Sequence, residues 1–264
     1  MDYSWDFGDG TRASDQRATH TYPVAGHYFA TLTVTDNAGA RDAFATEVVV
    51  QAANAYRDDV LSTPGLLAYW RLGETGGTTA ADARATYPGA YSGAVTLAQP
   101  GALATDSDTS TKFDGATAEM TARTAVPTST GTLEGWFNWR GGVAVMRDHT
   151  TSGGWILAYA SGGTLWYRVG GTSFNTGQPA NVAQNGWHHL ALTKNGSTVT
   201  LYLDGRALHS GSGAGGAPPA MPWHVMRNGT YTQYTQGNAD EVAVYQTALD
   251  AATIARHYRL GAGL

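Results

Sequence analysis

The chain has 264 residues, a formal net charge of −5, 42% hydrophobic and 14% charged residues, 34 glycines and no cysteine. It can build a packed core, it offers no disulfide or thiolate metal site, and without a long basic run it argues against nucleic acid as a partner. No apolar run approaches the roughly 20 residues of a membrane-spanning helix, so membrane insertion is not expected.

Abundant glycine, sparse charge and short runs of Thr, Tyr and Val point to many short strands joined by tight turns. Met1 leads directly into DYSWDFGDG without a signal-peptide pattern, and the expectation is a piece of a longer protein. Trp5 and Phe7 alternate ahead of a tight turn at Gly8, Asp9 and Gly10. The chain then alternates from Tyr28 to Val34, turns at residues 36–39 and returns from Ala43 to Val50, as a hairpin. Asp6, Asp9 and Asp36 are open to a cation or ligand role, but their turn positions favour bonds to their own backbone.

This stretch resembles the PKD domain through WDFGDG (5–10), HTY (20–22), GHY (26–28) and TLTVTD (31–36). The resemblance implies an immunoglobulin-like sandwich, used as a spacer or adhesion module in extracellular proteins, and covers only the later strands of that family. An incomplete sandwich leaves an edge that another protein chain, or the rest of the parent, is expected to pair. The domain reading is a partial PKD-like domain at 1–51, a linker at 52–56 and a second domain at 57–264.

In the second domain, residues 56–61 read as one or two helical turns and LLAYWRLGE as a strand, with Leu67, Tyr69 and Arg71 on one side and Ala68, Trp70 and Leu72 on the other. Further strands are expected at 89–97, 110–113, 118–121, 131–139, 143–147, 154–159, 164–169 and 231–245. The stretch 187–205, WHHLALTKNGSTVTLYLDG, reads as a hairpin. Leu190 and Leu192 share a face in its first strand, Val199, Leu201 and Leu203 in its second, and Asn195-Gly196 suits a type I′ turn. Asp250 precedes AATIARHYRL, which reads as a capped helix of two to three turns with Gly261 just past its end.

From about Tyr56 the chain resembles the LamG-like jelly-roll domains of the concanavalin A-like lectin/glucanase superfamily. The residues that carry this are AYWRLGE (68–74), YSGAVTL (91–97), FDG (113–115), LEGWFNW (133–139), WHHLALT (187–193), LYLDG (201–205) and DEVAVYQTALDAATIARHY (240–258). The expected fold is all-β: a partial immunoglobulin-like sandwich followed by a concanavalin A-like jelly-roll β-sandwich with a short C-terminal helix. The resemblance implies a concave surface and rim loops available for binding.

Enzymes of that superfamily carry a Glu-x-Asp-x-Glu strand for acid/base and nucleophilic work. No such strand occurs in this sequence, so no enzyme is expected and no catalytic residue is assigned. Glu134 stands alone and reads as structural or solvent-facing. His188 and His189 point to opposite faces of a strand and cannot easily hold one ion. The resemblance also implies one structural Ca2+, with Asp82 and Asp240 as ligands and Glu74 as a further candidate. The loop DARATYPG, which carries Arg84, departs from the oxygen-rich loop of relatives, and the alternative is that both aspartates bond backbone.

Carbohydrate binding is the leading expectation, because sugars are held by aromatic faces beside Arg, Asn, Gln and His. The candidate ligand-binding residues are Trp139, Arg147, His149, Trp155, Trp223, Arg227, Tyr231 and Tyr234, with 218–236 read as a rim loop and core packing the alternative for the tryptophans. Trp70, Trp136 and Trp187 are assigned to the core. The expected role is a non-catalytic adhesion module of an extracellular or cell-surface protein, with a polysaccharide or cell-surface glycan as partner. Alternatives are a structural or protein-interaction module of a surface fibre or phage tail, placing it in a virion tail, and a polysaccharide hydrolase or lyase of the same fold.

Overall fold

The computed structural model describes every residue except 51, 126, 128, 151–153, 214 and 216–218. The chain divides into two compact units, Met1–Ala55 with Gly263–Leu264, and Tyr56–Ala262.

The first unit contains β1 (Asp2–Asp6), β2 (Arg12–Ala13), β3 (Gly26–Thr35) and β4 (Arg41–Val50), in one antiparallel sheet of order β2-β1-β3-β4. Its aromatic residues form a continuous ladder. Trp5 stacks on Phe7, Phe7 on His20, His20 meets Tyr22 edge-on and Tyr22 stacks on Tyr28, with centroids 4.2–6.2 Å apart. Gly8 has φ +78°, and a Cβ there would lie 2.8 Å from the Phe29 backbone, which explains the glycine of the first turn. The aspartates serve the turns: Asp6 accepts the Gly8 N–H (3.0 Å), Asp9 the Thr11 N–H (3.0 Å), and Asp36 the N–H groups of Ala38 and Ala40 (both 2.8 Å).

The second unit starts with α1 (Ala55–Ser62), followed by β5 (Leu66–Trp70), β6 (Thr79–Ala80), β7 (Gly89–Ser92), β8 (Thr96–Pro100), β9 (Thr109–Asp114) and β10 (Glu119–Ala122). Next come β11 (Thr130–Gly141), β12 (Met146–Asp148), β13 (Ile156–Ser161), β14 (Thr164–Val169) and β15 (Thr172–Pro179). The chain continues through β16 (Trp187–Asn195), β17 (Thr198–Leu203), β18 (Arg206–Ser212), β19 (Trp223–Val225), β20 (Gln236–Tyr245) and α2 (Ala251–Ala262). Sheet I has the order β18-β17-β16-β11-β20-β9-β8, with β5 also paired to β20; sheet II has the order β15-β14-β13-β12-β19-β10-β7-β6. This is the all-β, two-sheet sandwich with a short C-terminal helix that the motifs implied.

Strand alternation sorts the side chains into two cores. Ala68, Trp70 and Leu72 join Leu190, Leu192, Val199 and Leu201 between the sheets. On the other face of sheet I, Tyr69, Trp136, Ala191, Tyr202 and Tyr245 pack with Tyr56, Val60 and Ile254 of the helices. That second core encloses a polar knot. Buried Glu134 accepts from the Tyr245 hydroxyl (2.5 Å) and from His257 Nδ1 (2.9 Å), while His257 Nε2 lies 3.3 Å from Asp59. Glu134 is therefore structural and fully enclosed rather than solvent-facing.

Several sequence expectations are corrected. Residues 89–97 are two strands in different sheets, parted at Gly93 (φ +72°), where a Cβ would lie 2.0 Å from the Thr117 carbonyl oxygen. The stretch 218–236, of which residue 218 lies outside the described residues, is not simply a rim loop, because Trp223–Val225 forms a short strand between β12 and β10 in the middle of sheet II. The strand expected at 231–245 starts only at Gln236. The final helix, capped by Asp250 Oδ1 on the Thr253 N–H (2.7 Å), includes Gly261; Gly263 (φ +72°) follows its end. Gly261 is a packing glycine, since a Cβ there would lie 2.5 Å from Trp136.

Candidate functional site

The register of sheet II builds a row of side chains across its solvent-side face. Arg168 on β14 pairs with Ile156 on β13, Ile156 with Arg147 on β12, Arg147 with His224 on β19, and His224 with Thr121 on β10. Directly paired residues share a face of the sheet. Their strand neighbours Leu165, Tyr167, Leu157, Met146, Trp223, Val225, Met120 and Ala122 lie in the inter-sheet core, so the row faces away from it.

Over Ile156 the row opens into a hollow of about 300 Å³, lined by Val143, Arg147, Tyr159, Ala160, Ser161, Arg168, Asn228, Tyr231 and Gln233. Arg147 is 3% exposed. It donates through Nη1 to Asn228 Oδ1 (2.5 Å) and through Nη2 to the Thr150 carbonyl (2.7 Å), and its guanidinium lies over the Tyr231 ring at 5.3 Å. Burial pulls its pKa below the ordinary arginine range, opposed by Asp148 and assisted by the charge of Arg168. Arg168 donates through Nη2 to the Gly171 carbonyl (3.2 Å). Tyr159 packs beside Trp166 at 6.2 Å and gives the hollow an aromatic wall.

Next to the hollow runs a chain of titratable groups. His149 Nδ1 meets His224 Nε2 at 2.8 Å, His224 Nδ1 meets Glu119 Oε2 at 2.6 Å, and Glu119 Oε1 accepts from Arg227 Nη1 at 2.5 Å. Burial raises the Glu119 pKa, but His224 and Arg227 outweigh it and hold the carboxyl below its usual value.

Of the sequence candidates, Arg147 and Tyr231 reach the hollow, and His149, Arg227 and Tyr234 lie at the histidine chain or beside it, with Arg227 over the Tyr234 ring at 5.0 Å. The tryptophans do not serve. Trp139, Trp155 and Trp223 are 0% exposed in the inter-sheet core, so no ring face is open to a sugar. Tyr159, Arg168, Asn228 and Gln233 escaped the sequence reading. The alternation of TLWYRV, with Leu165, Tyr167 and Val169 inward, was the signal that would have turned Arg168 outward.

Trp187, assigned to the core from sequence, is only half-buried. With Gln99, Lys112, Asn138, Arg140 and Asn238 it lines a second hollow of about 200 Å³ on the face of sheet I. His188 and His189 diverge as alternation requires, one to Asp204 (2.8 Å) and the other toward buried Glu134 (3.4 Å).

The proposed calcium ligands do not fit one ion. Asp82 accepts from the backbone N–H groups of Tyr69, Arg84, Thr86 and Tyr87, which occupies both oxygens. Glu74 is committed to the Ala81 N–H (2.7 Å) and the Tyr91 hydroxyl (2.6 Å). Asp240 Oδ2 accepts the Ala102 N–H (2.8 Å), Oδ1 has no partner, and burial raises its pKa well above normal, which favours the neutral acid. Among the described residues no three His, Cys, Asp or Glu side chains are arranged to hold a metal ion.

Two curated proteins match short stretches of the chain. Collagenase ColA of Clostridium perfringens is 54% identical over 37 residues, 14% of this chain and 3% of that protein. The metalloprotease precursor PrtV of Vibrio cholerae is 40% identical over 55 residues, 21% of this chain and 6% of that protein. The chain thus spans a small fraction of these curated relatives. Among solved structures, domain 4 of the extracellular arabinanase AbnA from Geobacillus stearothermophilus, in complex with arabinotriose, aligns with TM-score 0.59 and 14% identity over 73% of this chain and 98% of that one. The binding domain of Paraclostridial Mosquitocidal Protein 1 aligns with TM-score 0.56 and 16% identity over 74% and 52%. Botulinum neurotoxin type C, which depends on interaction with two ganglioside molecules to get into cells, aligns with TM-score 0.56 and 10% identity over 74% and 51%. These likenesses are likenesses of fold. A PKD domain profile matches residues 1–51 and one for the concanavalin A-like lectin/glucanases superfamily matches residues 111–255, more than half of the 264 residues. The chain belongs to the concanavalin A-like lectin/glucanases superfamily and carries a PKD domain ahead of its jelly roll.

Proposed function

We propose that this protein is a non-catalytic glycan-binding module of a larger extracellular protein, and that the glycan sits in the hollow over Ile156 on sheet II. The observation that carries the reading is the lining of that hollow, with the tyrosines Tyr159 and Tyr231 beside the planar polar groups of Arg147, Arg168, Asn228 and Gln233. Tyrosine rings meet sugar C–H groups, and fixed planar donors and acceptors meet hydroxyls. The arabinotriose complex of AbnA domain 4 and the ganglioside dependence of the neurotoxin belong to those proteins, and they support the same use of this fold here. Its role is to hold the parent protein on a polysaccharide or cell surface.

The PKD unit acts in this reading as a spacer. β4 ends its sheet, and its open backbone edge is where another protein chain or a further part of the parent pairs in this reading. The jelly-roll reading is tested on a glycan array followed by titration calorimetry. A saturable ligand that loses about tenfold in affinity on Tyr159→Ala supports it. A blank array across plant, microbial and animal glycans contradicts it.

A further inference from the structure

We infer that the hollow over Ile156 takes an anionic substituent of a glycan, a carboxylate or sulfate, between Arg147 and Arg168; the inference rests on the glycan-binding reading and names the class of sugar. Five arginines of the chain are not solvent-exposed: Arg57, Arg71, Arg147, Arg168 and Arg227. Three of them hold a carboxylate. Arg57 pairs with Asp58 at 2.8 Å, Arg71 with Asp106, Asp108 and Glu241 at 2.6–2.9 Å, and Arg227 with Glu119 at 2.5 Å. Among the described residues Arg147 and Arg168 have no carboxylate within 4.0 Å, and they are the two that line this hollow.

A buried cation without a counter-charge is costly, and Arg147 is the most buried arginine of the five. Its neighbours are neutral acceptors. Among the described residues Asn228 takes a donor from Nη1 and Thr150 one from Nη2, and Nε has no partner. Arg168 gives one donor to Gly171, and among the described residues its Nε also has no partner. The adjacent acid does not neutralise the pair. Asp148 pairs in register with Trp223, on the core side of β12, and its oxygens accept from Thr150 Oγ1 (2.8 Å) and the Ala220 N–H (2.9 Å).

The backbone sets the span. β13 separates the strands of the two arginines, so their Cα atoms stand about 9–10 Å apart at the usual strand spacing. Both flank Ile156, which is 3% exposed and forms an apolar floor. Two guanidiniums approaching one floor from opposite sides repel each other until an anion lies between them, and a carboxylate or sulfate on a sugar supplies both that charge and hydrogen-bond acceptors in a planar or tetrahedral set. Tyr159 and Tyr231 then bracket the ring that carries it.

The test compares acidic glycans with matched neutral forms: sialylated against desialylated, uronate against carboxyl-reduced, sulfated against desulfated. The expected result is that at least one acidic member binds about tenfold or more tightly than its neutral match, with affinity falling as salt rises, and that Arg168→Gln removes most of this preference. Arg168 is only partly buried, and an unchanged thermal midpoint shows that the variant is folded. Equal binding of acidic and neutral members, or an equal loss for both in Arg168→Gln, overturns the inference and leaves glycan binding standing. Absence of binding to any member of any pair overturns both.

Discussion

Arg147 and His224 are register partners across β12 and β19 and project side by side from the solvent face of sheet II. One serves the hollow over Ile156 and the other anchors the chain from His149 to Glu119, so a single cross-strand pair divides the open face from the polar network that braces it. Because β19 is only Trp223–Val225, the placement of both depends on Trp223 filling the core behind them.

The tryptophans are therefore tested as core residues. Trp155→Ala and Trp223→Ala should each lower unfolding free energy by about 3–5 kcal/mol in urea titrations, with any loss of ligand binding following the unfolded fraction. Full stability with abolished glycan binding would place these rings in the ligand site instead.

Gly261 separates packing from propensity. Alanine is intrinsically better in a helix by about 1 kcal/mol, so propensity alone expects Gly261→Ala to stabilise α2. Its Cβ would lie 2.5 Å from Trp136 and 3.0 Å from Leu103, both buried, and overpacking of this kind costs about 1–3 kcal/mol. Chemical denaturation should show net destabilisation, and a stabilised variant would mean that the helix shifts freely.

The Glu134–His257 pair gives stability a pH dependence. For His257 burial lowers the pKa, but the Glu134 charge and hydrogen bond outweigh it and leave it raised above the usual 6.5. Its contribution is complete below about pH 6.5 and is lost as pH rises through the folded value. Glu134 is opposite in sign: burial raises it, His257 and His189 pull it well below the usual range, and its contribution is present above about pH 4.3 and lost in acid. Thermal midpoints of the wild type and His257→Gln should converge as pH rises from 6 to 9. A difference that grows over that window contradicts the assignment.

Calcium is tested by removal. With Asp82 and Glu74 committed to the chain's own donors, chelation should leave the thermal midpoint unchanged to within about 1 °C, because only an ion bound to the folded state adds stability. A drop of several degrees that calcium restores would show a site built from other oxygens, with the unpartnered Asp240 Oδ1 as its first candidate.

The sequence carries the fold far better than the site, for a physical reason. Period-two alternation brings Leu190, Leu192, Val199 and Leu201 of 187–205, and Ala68, Trp70 and Leu72 of 66–72, into the inter-sheet core, whereas Leu67, expected on the side of Tyr69, also packs there and Leu66 joins Tyr69 instead, where the pairing with β20 shifts register. Turn pairs such as Asn195-Gly196 set register locally, and Thr198 duly pairs with Asn195. The hollow depends instead on which strands become neighbours. Arg147 and Arg168 are brought together by β13, and His149 and His224 by the long return that places β19 beside β12, and no local pattern encodes either. Trp223 misled for the same reason, since Pro and Gly nearby read as loop while three residues of strand were enough to enter the sheet.

The most direct measurement is amide chemical-shift mapping of the isotope-labelled protein, titrated with the tightest oligosaccharide from the array. Saturable shifts centred on Ile156, Tyr159, Arg168 and Asn228 are the expected result. Shifts centred on Asn138, Trp187 and Asn238, across the other sheet, or no saturable shift at all, would contradict the placement of the glycan in the hollow over Ile156.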